Sequence, residues 1–83
     1  MSGKLKQDIS IGDNLRNLRH KSGLSQEQVA ARLQTMELNV SREMLSQMEL
    51  GKYSIRISVL LGLKSIYHAT YDDFFAGLSL HKS

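Results

Sequence analysis

"NVSREMLSQMELGK", from Asn39 to Lys52, is the stretch on which the reading of this 83-residue chain turns. Leu45 and Met48 lie three residues apart on one helical face, Ser41 stands where an N-cap belongs, and Gly51 closes the run. The pattern predicts a helix from Arg42 to about Leu50. Arg42, Glu43, Ser46 and Gln47 occupy its front, a cation, an anion and two neutral polar groups, while Leu45 and Met48 turn back toward a core. Varied chemistry gathered at the start of a short helix implies that the start faces something other than the protein's own interior.

Upstream, Ser25 opens a capping box with Gln28, and Val29, Ala30 and Leu33 form the apolar stripe of a preceding helix. Before it, Ile11, Leu15 and Leu18 fall at i, i+4 and i+7, with Ser10 as a cap and Gly23 as a stop, predicting a first helix over about 11–22. Residues 1–9 show no periodicity and read as a flexible N-terminal arm. The connector "QTMELNV" weakens the helical pattern and contains the turn former Asn39; Met36, Leu38 and Val40 are expected to pack it down. Downstream of "KYSIR", the apolar positions Ile57, Leu60, Leu61, Leu63, Ile66 and Tyr67 mark a fourth helix. Gly62 within it costs about 1 kcal/mol relative to alanine and suggests a close neighbour. Thr70 caps a last short helix whose first turn carries Asp72 and Asp73, where the helix dipole favours anions. The expected fold is an all-α, compact five-helix domain over 10–78, without a convincing strand and with a flexible tail at 79–83.

Composition narrows the function. A chain of this length supports one small core, which suits a binding module better than an enzyme. It has no cysteine, so neither disulfides nor thiolate metal sites apply. His20, His68 and His81 are far apart and lack partners at ligand spacing, so neither a metal nor a cofactor is expected. No apolar run approaches the ~20 residues of a membrane span and no signal-peptide block follows Met1, so a cytoplasmic protein is expected. The net charge is +3 and the pI about 9.5. Five Lys/Arg against two acids give +3 up to Gly23, with −1 over 24–52 and +1 thereafter. A polyanion-binding face would therefore depend on geometry rather than bulk charge.

Two capped helices joined by a connector can form a helix-turn-helix, whose second member enters the DNA major groove leading end first. Arg42, Glu43, Ser46 and Gln47 are then the candidate base readers: arginine suits guanine, glutamate a cytosine amine, glutamine adenine. Ser25, Gln26 and Ser41 would bring hydroxyls and helix N-terminal N–H groups to phosphates, and Lys52 and Arg56 would hold the backbone from the following loop. Taken singly, each has a plainer reading as a helix cap or solvated charge. Their order along the chain is what raises the DNA reading above it.

In that order "LRNLRHKSGLSQEQVAARL", "VSREMLSQMELGK", "VLLGLKSIY" and "TYDDFFAGL" resemble the lambda-repressor/Cro-like, or XRE-type, helix-turn-helix regulators of bacteria and phages. The resemblance covers about residues 9–78. It implies five helices with the second and third as the reading unit, Gln26 in contact with DNA, and an ion pair between Arg19 and Glu49. One departure stands out: the connector is about five residues longer than is usual in this family, to be absorbed by a longer second helix, a wider loop, or both. A homodimer on double-stranded DNA is expected because one small module buries little surface; Phe74, Phe75, Leu78 and Leu80 are its candidate interface, the plainer reading being that Phe74 and one neighbour simply close the core. The competing function is a protein-interaction module, an antitoxin-like or antirepressor subunit built on the same fold.

Overall fold

The computed structural model describes residues 3–5 and 7–80. Five helices follow one another: α1 (Gly12–Lys21), α2 (Gln26–Thr35), α3 (Arg42–Glu49), α4 (Ile57–Tyr67) and α5 (Tyr71–Phe75). Two short strands, β1 (Lys4–Leu5) and β2 (Ile55–Arg56), pair antiparallel with Lys4 opposite Arg56 and Leu5 opposite Ile55. The architecture is all-α apart from this ribbon. α3 packs against both α1 and α2, α4 closes over α2, and α5 lies on α1. At the centre, Leu15, Leu33, Leu45, Leu63, Ile55 and Phe74 have no exposed surface, and Val29, Val40 and Val59 have almost none. Burial of that apolar surface is the main driving force for the fold.

Helix starts follow local chemistry. Ser25 accepts from the N–H of Gln28 while the Gln28 side chain accepts from the N–H of Ser25, a complete capping box; Thr70 and Asp73 repeat it on α5. Ser41 accepts from the N–H of Met44. On α1 the N-cap is Ile11 instead, without a side-chain cap bond, and the Ser10 hydroxyl accepts from Gly12 N–H at 2.9 Å.

The helix ends share one device. In α1, Gly23 N–H bonds to His20 O and Leu24 N–H to Arg19 O; in α3, Gly51 N–H bonds to Met48 O and Lys52 N–H to Gln47 O. These are Schellman turns, with φ of +70° at Gly23 and +78° at Gly51. α2 ends the same way without glycine: Glu37, at φ +61°, bonds to Gln34 O, and Leu38 N–H returns to Leu33 O. The long connector is thus absorbed by two devices, two further residues of α2 after Leu33 and a turn that folds Leu38 back. Val40 is buried, Leu38 packs on the core and Met36 stays largely exposed. Gly62 makes room for this arrangement, since a Cβ there would lie 2.8 Å from Leu38 Cδ1 and 3.0 Å from Leu33 Cδ2.

One expectation, that the chain holds no convincing strand, is corrected here. The segment read as a loose arm contributes a strand, and Ile57 N–H bonds to Gly3 O at 2.8 Å. Gln7 fixes it further: its Nε2 donates to Tyr53 O at 2.7 Å and Met48 O at 3.2 Å, and its Oε1 accepts from Ile11 N–H at 3.0 Å. The reason is that β2 would otherwise leave an unpaired edge, and a single glutamine satisfies three backbone groups around it. Met1, Ser2 and Lys6 of the arm, and His81 to Ser83 of the tail, lie outside the described residues. For Phe74 the plainer of the two readings holds: its side chain is wholly buried, because the face of α5 that carries it turns onto α1, so it closes the core rather than offering an interface.

Candidate nucleic-acid interface

The leading ends of α2 and α3 are exposed at Ser25, Arg42 and Glu43, with Gln26 and Ser41 half-buried between. The hydroxyls of Ser25 and Ser41 are committed to their capping bonds. What each helix start presents outward is its free N–H groups and positive dipole end, a disposition suited to anions. Ser46 and Gln47 are half-buried further along α3, and Lys52, Tyr53, Ser54 and Arg56 are exposed in the loop that follows.

Behind this front lies a buried polar assembly. Arg19 Nε donates to Glu49 Oε2 at 2.7 Å and Arg19 Nη2 to Glu49 Oε1 at 3.1 Å, a two-bond fork from α1 to α3. The side chains retain only 11% and 3% exposure. Arg19 Nη1 donates to Leu24 O at 3.1 Å. The hydrogen bond it donates to Glu49 holds the Arg19 guanidinium above its usual pKa. Gln26 Nε2 donates to Glu49 Oε1 at 3.1 Å, and Gln26 Oε1 accepts from Arg42 Nη1 at 3.5 Å. Gln26 therefore bridges the buried pair and the exposed Arg42. The Tyr67 hydroxyl is buried with no hydrogen-bond partner among the described residues, and desolvation pushes its pKa well above the ordinary phenol value.

The structure joins the starts of α2 and α3 through the Gln26–Arg42 contact, and leaves Phe75, Leu78 and Leu80 exposed toward the C-terminal end of the chain. Several contributors leave little or no trace in the sequence. Lys4 reaches the surface beside Arg56 because of the strand register, and Asn39, Met44, Tyr53 and Ser54 line a cleft of about 230 Å³ with them. Asn14 Nδ2 donates to Phe74 O at 2.8 Å and Ala76 O at 2.9 Å, locking α5 onto α1. For Lys4 the one signal is the pair of cations in "GKLK" ahead of the first helix; for Asn14 there is none.

Two adjoining helices with capped, outward-facing starts, the second carrying exposed polar side chains at its head, define a helix-turn-helix, a DNA-binding class of domain. The family model described as "Helix-turn-helix domain" matches residues 10–74, and the chain belongs to that family. No curated protein and no solved structure matches the chain.

Proposed function

We propose that the protein is a sequence-specific double-stranded DNA-binding transcriptional regulator that acts as a repressor. α3 lies in the major groove, Arg42 and Glu43 meet base edges at its leading end, and Ser46 and Gln47 follow on the same front. Backbone N–H groups at the starts of α2 and α3, with Lys52 and Arg56, hold phosphates and set the register. The observation that carries this reading is the exposure of Arg42 and Glu43 at the open start of a helix whose other end is buried.

A second copy completes the unit. Phe75 and Leu78 are exposed and line one cleft with Ile9, and with the exposed Leu80 they form the apolar face over which two chains associate, since two half-sites supply the specificity one module lacks. Repression then follows from occupancy of an operator that polymerase needs.

Selection of duplexes from a random library, followed by a salt titration, tests the proposal. A recovered site and a steep logarithmic salt slope support it, and flat binding with no enriched sequence sinks it. Within that assay Arg42→Ala relaxes base preference, by about 1–3 kcal/mol of discrimination, whereas Lys52→Ala weakens all duplexes alike. The reverse pattern would overturn this division of roles.

A further inference from the structure

The antiparallel register sets Lys4 directly opposite Arg56. Residues opposite one another project on the same face of a ribbon, a few ångströms apart. The other face of this ribbon is used for packing, with Ile55 fully buried and Leu5 against the core. Both cations are exposed, and among the described residues neither has a carboxylate within ion-pair distance. Like charges placed opposite each other weaken a strand pair, so the ribbon carries an electrostatic cost that no internal partner offsets.

The position of this pair matters as much as its charge. Lys4 and Arg56 line the same cleft of about 230 Å³ as Asn39 and Met44 from the approach to α3 and its first turn, and Tyr53 from the following loop. Through Met44 the cleft borders the first turn of α3, the helix that carries the proposed reading residues. A DNA strand running past the start of α3 would bring its phosphates to this mouth, with a deoxyribose against Tyr53 and Met44. A small two-stranded ribbon is a rigid mount for two cations that would otherwise sit on a chain terminus and a loop.

We infer that Lys4 and Arg56 together clamp one phosphate of the DNA strand flanking α3, making the N-terminal strand a part of the binding site. The inference rests on the DNA-binding reading above, and it adds a contact from a segment that precedes the helix-turn-helix altogether. Bringing one phosphate between the two cations removes their mutual repulsion, so strand pairing and DNA binding reinforce each other.

The test uses the full chain, a random-sequence duplex and fluorescence anisotropy over a series of salt concentrations, with Lys4→Gln, Arg56→Gln and the double variant. Each single change weakens binding roughly three- to tenfold, because one cation still neutralises the shared phosphate. Only the double variant lowers the magnitude of the logarithmic salt slope, by ~0.9, the value that one neutralised phosphate carries. Lys64→Gln, which removes a cation held over the Tyr71 ring on α4, leaves the slope unchanged and controls for net charge. The double variant melts no lower than the parent, since a repulsion has been relieved. A slope reduction of ~0.9 in each single variant means two separate phosphates and overturns the clamp. A double variant that binds like the parent removes Lys4 and Arg56 from the interface while leaving the DNA reading intact. A parent chain with no salt-sensitive binding defeats the reading beneath both.

Discussion

The two ends of α3 differ in nearly everything except the helix that joins them. At its start, Arg42 keeps half of its side-chain surface and Glu43 about three quarters, and their contacts are long: 3.5 Å to Gln26 and 4.0 Å to each other. At its finish, Glu49 keeps 3% and is gripped by two bonds from Arg19 and one from Gln26, all within 3.1 Å. Ionic groups of the same kinds are loose where water solvates them and fixed where it does not. A helix that reads DNA in the way proposed would need this asymmetry. One end must be held at a set angle so that the other can stay solvated and retain side-chain freedom until a partner orders it.

Breaking the closed end should have the largest effect. Glu49→Ala strands the Arg19 guanidinium and the Gln26 amide in a nearly dry site, and a drop of about 3–5 kcal/mol in unfolding free energy is expected. Denaturant titration measures it. A drop below about 1 kcal/mol would mean the pair is effectively a surface contact and the contrast between the ends is nominal.

Gly12→Ala attacks the same end from below. A Cβ at Gly12 would run into the carbonyl of Glu49 and come within 3.0 Å of Gly51 N, and backbone cannot swing away as a side chain can. Prising α1 from the end of α3 should cost about 1–3 kcal/mol, despite alanine's better helix propensity. An unchanged stability would show that α1 and α3 can slide, and that the closed end sets no angle at all.

Tyr67→Phe sharpens the comparison with a smaller effect of opposite sign. The hydroxyl is buried near the Arg19–Glu49 pair without a partner among the described residues, so its desolvation is a cost that phenylalanine would not incur. Stability should hold or rise by up to about 1 kcal/mol. A fall of that size in thermal or denaturant unfolding would assign the hydroxyl a bond within the polar assembly.

How much of this was legible depended on range. Ser25 with Gln28, Ser41, Thr70, Gly23 and Gly51 act within one helical turn, so their spacing alone marked the ends of the helices. Gly62 was legible as a tight spot, though the side chains that press on it, Leu33 and Leu38, were not. Gln7 and Asn14 were silent because each works by one side chain on backbone carbonyls some 40 to 60 residues away, which leaves no periodic trace. The turn after α2 was hidden for a related reason: Glu37 adopts a conformation that usually announces itself with glycine or asparagine. Phe74 was legible as a core candidate, but its neighbours could not be sorted between core and surface, since a helix of five residues is too short to establish a face. On the candidate interface, the exposure of Arg42 and Glu43 was predictable from the helix they begin, whereas the placement of Lys4 required the strand register.

The smallest effect on stability is expected at the open end. Glu43→Ala removes a carboxylate that is about three quarters exposed and 4.0 Å from its only charged neighbour among the described residues, Arg42. What it gives up is a dipole interaction at the second position of α3, worth a few tenths of a kcal/mol at moderate salt, against a slight gain in helix propensity. The melting temperature should therefore stay close to that of the parent, far above that of Glu49→Ala. Binding should tell the other half of the story: a glutamate that accepts from a cytosine amine is missed at one base position and nowhere else, so the variant's selected sites should lose preference there alone. If Glu43→Ala and Glu49→Ala melted together, the two ends would be energetically alike, and the division of α3 into an anchored end and a reading end would have no physical basis.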